Sequence, residues 1–359
     1  MNFSRNNLYL LATVRLAAQG LSTVTRTNPR VGCLIVKNQR VIGRGFHAQV
    51  GQNHAEIEAF KDSVESPKDA VVYCSLEPCS IHGRTPPCTQ ALIDAQVSRV
   101  VIGSIDSNPA VNGNGIATLR EAGIVVDLVE IPEAREVNCG YFKRMEAGRP
   151  YTRVKVATSL DGRIAMADGD SQWITGPQAR ADVMHLRARS GAIVTGIGTV
   201  LNDDPKLNVR APYKLDIQPL RVILDTNGRL SPQAEILQQP GDVILVCNSK
   251  ASTPEKVHRW EHEHRTAQLD GVHRRLADEG VNEVLVEAGS KITGAYLETN
   301  LWDELVVYVA PKILGSTALP LADMKIQKLC DSIGGKVRSV TQLGDDMKLV
   351  IVRENHVSD

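Results

Sequence analysis

The sequence predicts an α/β protein of two domains, on three observations: its length, the alternation of short apolar strands with helical stretches, and a Gly148-Arg149-Pro150 break partway along. The chain has 359 residues, beyond the roughly 250–300 at which a single hydrophobic core stops growing, so two cores are the default. Strands and helices that alternate over short links imply layered α/β domains. The Gly-Arg-Pro break sets the boundary, giving domains 1–148 and 149–359.

Apolar residues recur at helical spacing over 8–18, and 31–36 reads as a buried strand, followed by a Lys37-Asn38 turn and a second strand over 41–45. A helix is expected to begin around His54 and run through Phe60. It is followed by a strand over 70–75, a helix over 88–95 and a strand over Arg99–Ile102. The helix over 118–121 stops at Gly123, a strand starts at Ile124, and 138–145 is helical. Beyond the boundary, strands are expected over 154–157, 192–195, 222–224, 243–247, 284–287 and 305–310. A helix is expected over 292–297, and a closing hairpin over 337–343 and 348–353. Residues 211–219 read as a loop, and the charged stretch 249–266 as a solvated helix or connector.

Lys plus Arg equals Asp plus Glu at 41 each, without a long run of one sign, so the electrostatic footprint of a nucleic-acid binder is missing and a small substrate is favoured. No stretch approaches the ~20 apolar residues of a membrane span, and no signal-peptide h-region is evident, so a cytoplasmic location is expected, without a membrane partner. Seven cysteines, an odd number spread over a long chain, argue against a disulfide framework and leave thiols for metal.

His54-Ala55-Glu56 is followed by Pro78-Cys79 and, after eight intervening residues, by Cys88. Any one of these alone reads as a buried thiol or a surface imidazole. Together they match the order of a zinc deaminase site, His-x-Glu then Pro-Cys and Cys. One imidazole and two thiolates from His54, Cys79 and Cys88 would hold Zn²⁺ with a fourth position open to water, whose pKa the metal lowers to about 7. Glu56 sits two residues past His54 on the same helix, within reach of that water without being a ligand, as a proton shuttle requires. A purely structural zinc would need a fourth protein ligand such as His47 or His82.

The usual nucleoside deaminase pattern has two residues between its cysteines, whereas here Ser80-Ile81-His82-Gly83-Arg84-Thr85-Pro86-Pro87 fills the gap. The run from Leu76-Glu77-Pro78-Cys79 through this loop to Cys88 resembles the deaminase half of the bifunctional riboflavin-biosynthesis deaminase–reductases, as do Asn28-Pro29, Val31-Gly32-Cys33 and Gly45-Phe46-His47. The resemblance implies that Asn28, His47 and Arg84 contact substrate, with Arg84 on its phosphate, a task that suits a guanidinium fork. The chain departs from the family pattern at Ile81, where a His is usual, at Thr27 in the turn before Pro29, and at Ser107 before Asn108-Pro109.

In the second half, Lys155 through Arg163, Ser171-Gln172-Trp173-Ile174-Thr175, Leu186-Arg187-Ala188, the stretch 199–207 and Val286-Glu287-Ala288-Gly289 resemble the reductase domain of the same family. From the residues alone this half is quieter, since Gly196-Ile197-Gly198 is a weak phosphate-turn signal. The resemblance implies a cytidine-deaminase-like α/β/α layered domain followed by a dihydrofolate-reductase-like α/β domain. It assigns NADPH contacts to Ala157, Trp173, Thr199, Asp203, Thr226 and Gly289, and substrate contacts to Ser171, Arg187, Leu207, Arg210 and Glu287. Gly289-Ser290 opening a helix suits a pyrophosphate seat, and Arg187 and Arg210 suit a ribose phosphate.

The implied reactions are hydrolytic deamination of 2,5-diamino-6-ribosylamino-4(3H)-pyrimidinone 5′-phosphate and then NADPH reduction of its ribosyl group to ribityl. The expected partners are this phosphorylated small molecule and further copies of the chain in a homo-oligomer. The alternative is a deaminase of another nucleotide fused to a pterin-type reductase.

Overall fold

The structure is a computed structural model that describes residues 5–21, 26–81, 86–213, 215, 217–261 and 268–354. They divide into two compact units, Met1–Gly148 and Arg149–Asp359.

The first unit runs α1 (Arg5–Ala17), β1 (Gly32–Lys37), β2 (Arg40–Phe46), α2 (Ala55–Lys61), β3 (Val71–Cys74), α3 (Cys88–Asp94), β4 (Arg99–Ile102), α4 (Asn114–Glu121), β5 (Val125–Leu128), α5 (Pro132–Glu136) and α6 (Cys139–Ala147). Its sheet has the order β2-β1-β3-β4-β5, with β1 antiparallel to β2 and β3 and the last three strands parallel. Because strand side chains alternate between faces, Cys33 and Ile35 of β1 pack with α2, α3 and α4, whereas Leu34 and Val36 pack with α1 and α5. The result is helices on both faces of one sheet. Gly45 matters to the site, since a Cβ there would meet the Ala55 carbonyl at 2.3 Å. Glycine lets α2 lie against β2 and carries its first turn to the sheet. Helix α5, of five residues and entered through Pro132 at its first turn, has no counterpart among the expected elements.

The second unit runs β6 (Tyr151–Ser159), β7 (Arg163–Ala165), α7 (Pro177–Ala188), β8 (Ala192–Gly196), α8 (Ile197–Asp203), β9 (Leu220–Leu224), β10 (Val243–Cys247), β11 (His258–Glu261), α9 (Gln268–Asp278), β12 (Glu283–Glu287), α10 (Ser290–Glu298), β13 (Glu304–Ala310), β14 (Leu319–Pro320), β15 (Lys336–Leu343) and β16 (Asp346–Val352). Nine strands form one sheet in the order β11-β10-β9-β8-β12-β6-β13-β16-β15. From β11 to β13 neighbouring strands are parallel, and β16 and β15 close the edge antiparallel. The continuous apolar runs of β8, β10 and β12 are buried on both faces, as central strands of a parallel sheet require. Helices α7 and α8 cover one face, α9 and α10 the other.

The stretch 249–266 departs from its expected role as a solvated helix or connector. Within it, β11 joins the edge of the sheet parallel to β10, and Trp260 is buried in the core beneath the Arg275 guanidinium, 4.3 Å from its ring centroid. Burying one indole outweighs the polarity of its neighbours, whose side chains stay outside. Residues 262–267 lie outside the described set.

Candidate active sites

In the first unit, β3 and α3 deliver the two thiols and the start of α2 delivers the imidazole. His54 is the N-cap of α2, in extended conformation with no side-chain cap bond, so its ring is left to point at the sulfurs. Its Nδ1 lies 3.2 Å from the Cys88 Sγ and 3.5 Å from the Cys79 Sγ. The three donor atoms lie within 4.8 Å of one another, and this is the one such cluster of metal-capable side chains among the described residues. The Cys79 thiol is pushed down to about 4, first by the hydrogen bond from the Cys88 thiol and then by His54 and the Cys88 backbone N–H, which reaches its sulfur at 3.4 Å. One nitrogen and two sulfurs fit zinc as a donor set, and three protein ligands is the number a catalytic zinc uses.

Glu56, in the first turn of α2, is buried. Burial pushes its carboxyl up and the neighbouring Cys79 adds to this, while His54 pulls it down. A carboxylate with raised proton affinity beside these three donors can take a proton and give it back. His47 is also buried, and burial holds its imidazole below the ordinary range. Its Nδ1 faces the Asn53 carbonyl at 3.1 Å, so Nδ1 carries the proton and donates, and Nε2 accepts from Asn28 Nδ2 at 3.1 Å. The Thr27 hydroxyl donates to Asn28 Oδ1 at 3.3 Å. The side chain that departs from the family turn thus orients the neighbouring amide toward His47. Ser107, another departure, reaches Glu146 Oε1 at 2.7 Å, while Asp106 Oδ1 accepts from the Asn108 N–H and the Tyr141 hydroxyl, each at 2.8 Å. Arg84, the expected phosphate ligand, lies outside the described residues, as does His82; Ile81 is exposed.

In the second unit, Ala157, Thr199, Thr226 and Gly289 lie at or just beyond the C-terminal ends of the parallel strands β6, β8, β9 and β12, the edge at which open α/β sheets take ligands. Gly289 is the N-cap of α10, without a side-chain cap, and a Cβ there would meet nothing within 4 Å. The open helix start offers unpaired backbone N–H groups and so fits a pyrophosphate. Asp203 ends α8 and is half-buried; burial pushes it up, and the Ser171 hydroxyl, 3.4 Å from its Oδ1, opposes that. Trp173 is 62% exposed, stacked under the Arg180 guanidinium at 4.4 Å. It lines a cleft of about 540 Å³ with Lys312 and Asp346, a recess that none of the other assigned residues lines.

Glu287 ends β12 and organises the charges around it. Arg187 Nε and Nη2 reach its two oxygens at 2.6 and 3.0 Å, and Lys155 Nζ lies 3.8 Å from Oε2. Burial would push the Glu287 carboxyl up, but Arg187 and Lys155 hold it below the ordinary range. The remaining Arg187 nitrogen, Nη1, donates to the Asn208 carbonyl at 3.1 Å. Three of its five N–H donors thus engage Glu287 and the Asn208 carbonyl. Arg210 is the open guanidinium, exposed at its residue and held by Asn208 Oδ1 at 3.2 Å. Leu207, with φ +44, buries its side chain in the core, leaving its backbone to meet any ligand. Lys155 and Asn208 join this cluster without having been among the expected site residues. A charge on a strand destined for burial on both faces was the available signal for Lys155.

The family model for the RibD C-terminal domain matches residues 150–349, and the model for the cytidine and deoxycytidylate deaminase zinc-binding region matches residues 4–104. The riboflavin biosynthesis protein RibD of Escherichia coli is 42% identical over 370 residues, covering 97% of this chain and 99% of its own. The chain belongs to the RibD family. Among solved structures, RibD of Acinetobacter baumannii is 41% identical with a TM-score of 0.90, covering 98% of this chain and 99% of its own. The deaminase/reductase of Thermotoga maritima is 30% identical with a TM-score of 0.89, covering 98% and 100%. The two folds are accordingly a cytidine-deaminase-like domain and a RibD reductase domain. The chain is a bifunctional deaminase and reductase of riboflavin biosynthesis that uses Zn²⁺ and NADPH.

Proposed function

We propose that residues 1–148 deaminate 2,5-diamino-6-ribosylamino-4(3H)-pyrimidinone 5′-phosphate at the His54, Cys79, Cys88 and Glu56 site, and that residues 149–359 reduce the deaminated product at the C-terminal edge of the large sheet. The observation that carries the first assignment is the convergence of three metal donors within 4.8 Å, with Glu56 buried beside them. When bound, zinc supplies a Lewis acid for the attacking water and NADPH supplies the hydride. Glu56 accepts the proton that the water loses and hands it to the departing amino nitrogen. Asn28 and His47, fixed to each other, orient the pyrimidine, and Arg84 takes the phosphate.

In the reductase unit, Gly289 and the first turn of α10 seat the cofactor pyrophosphate, with Ala157, Trp173, Thr199, Asp203 and Thr226 as its further contacts. Ser171, Leu207 and Arg210 bind the ribose phosphate, while Arg187 acts on substrate through Glu287, whose carboxylate it fixes. Asp203 is the polar group assigned beside the transferred hydride or proton. Removing zinc with a chelator should abolish ammonia release and leave NADPH oxidation on pre-deaminated substrate at the untreated rate. Ammonia release with no NADPH oxidation in the complete system would reject the reductase assignment. Arg210→Ala should raise the KM for the phosphorylated substrate about 10- to 100-fold, the range of one lost charged hydrogen bond, with kcat little changed. An unchanged KM in steady-state assays would remove Arg210 from the phosphate site.

The protein is read as a cytoplasmic homo-oligomer. No described helix is long and apolar enough to cross a membrane, and the edge strand β15 leaves Val337 and Val340 more than half exposed, which suits burial against another copy. Sedimentation tests the assembly; a monomer at working concentration would refute it.

A further inference from the structure

Glu77 has no part in the chemistry described above, yet it is buried two residues before Cys79 and its carboxylate accepts four backbone N–H bonds. Oε2 takes those of Asp106 at 3.3 Å and Gly113 at 3.0 Å; Oε1 takes those of Gly115 at 2.9 Å and Ile116 at 3.2 Å. Three of these donors belong to the N-cap and first turn of α4, where a carboxylate meets both orphan N–H groups and the positive end of the helix dipole. The Glu77 backbone N–H donates to the Ser104 carbonyl at 3.0 Å, and the Cys79 carbonyl accepts from the Thr89 N–H at 3.2 Å. The segment carrying Cys79 is therefore gripped on both sides of Pro78. Contact with α4 is close, since a Cβ on Gly115 would meet the Pro78 carbonyl at 2.1 Å.

We propose that Glu77 is a positioning residue of the metal centre: by tying the Leu76-to-Cys79 segment to the first turn of α4, it fixes the Cys79 sulfur against His54 and Cys88 and so sets how long zinc is held. This rests on the ligand assignment made under Proposed function. A neutral amide in place of the carboxylate presents an NH₂ group to backbone N–H groups and breaks the grip at one oxygen or the other. Groups behind a metal ligand typically govern metal affinity by 10–100-fold.

The test is the rate at which full-length, zinc-loaded protein gives up zinc to excess chelator. Glu77→Gln should lose zinc about 10- to 100-fold faster than wild type, with NADPH-dependent reduction of pre-deaminated substrate unchanged. Val126→Ala, which weakens the same core through β5, should lose zinc at the wild-type rate. Zinc loss at the wild-type rate in folded Glu77→Gln would overturn the proposal, and so would equal acceleration in Val126→Ala, because the effect would then be one of general stability. If Glu77→Gln does not fold, Gly115→Ala decides. Its Cβ displaces the Pro78 carbonyl with Glu77 intact, so faster zinc loss supports the grip and an unchanged rate refutes it. Wild type that binds no zinc, or Cys79→Ser that binds it as wild type does, would instead sink the ligand assignment.

Discussion

Glu56→Gln is expected to slow deamination by about 10²- to 10⁴-fold, the usual worth of a positioned general acid–base group. Zinc content should stay at the wild-type level, and reduction of pre-deaminated substrate should be unaffected. Glu56 lies in the first turn of α2, two residues beyond His54, buried so that its proton affinity is raised. The amide has the same shape and keeps the packing against the sheet but cannot carry a proton. Ammonia release, zinc content by metal analysis and NADPH oxidation on the deaminated substrate separate these effects. A variant that still deaminates within a few-fold of wild type would show that another group moves the proton.

Glu287→Ala is expected to destabilise the reductase unit by about 3–5 kcal/mol, the cost of leaving a buried charge without its partner, and to abolish reduction. Here the charges left behind are two, Arg187 and Lys155, since both face the same carboxylate. Chemical denaturation followed by a probe in residues 149–359 measures the loss. A double substitution, Arg187→Met with Glu287→Leu, removes both ends of the bidentate pair and should recover part of the stability, because apolar replacements of buried pairs are often neutral, while Lys155 still lacks its partner. Reduction should stay lost in the double variant. Recovery of activity there would mean that the pair serves only folding; a change in stability under 1 kcal/mol for Glu287→Ala would mean that the pair is solvated.

How legible these features were follows from how local they are. His54, Glu56, Cys79 and Cys88 fall in short motifs at fixed spacing, so the convergence of three metal-capable donors is legible in the sequence. The buried strands β8, β10 and β12 were equally plain, since continuous apolar runs leave little ambiguity. The pairing of Arg187 with Glu287 was not legible, because the partners lie 100 residues apart in the chain and meet only when β12 enters the sheet. The charged stretch 249–266 concealed β11 because its one deciding residue, Trp260, is a single indole among polar neighbours. Glu77 stood in a motif whose metal ligand drew the attention, and its four partners come from segments some thirty to forty residues downstream.

The place of β6 in its sheet has a consequence for biosynthesis. It is the first strand of its unit to be made, yet its neighbours on the two sides are β12 and β13, which leave the ribosome more than a hundred residues later. At ordinary elongation speeds a nascent chain would carry this strand unpaired for roughly 6–25 s, while the earlier sheet, whose strands all lie upstream, is free to close. Long-range pairing of this kind slows folding, so newly made second halves are the portion of this polypeptide with most need of chaperone shelter.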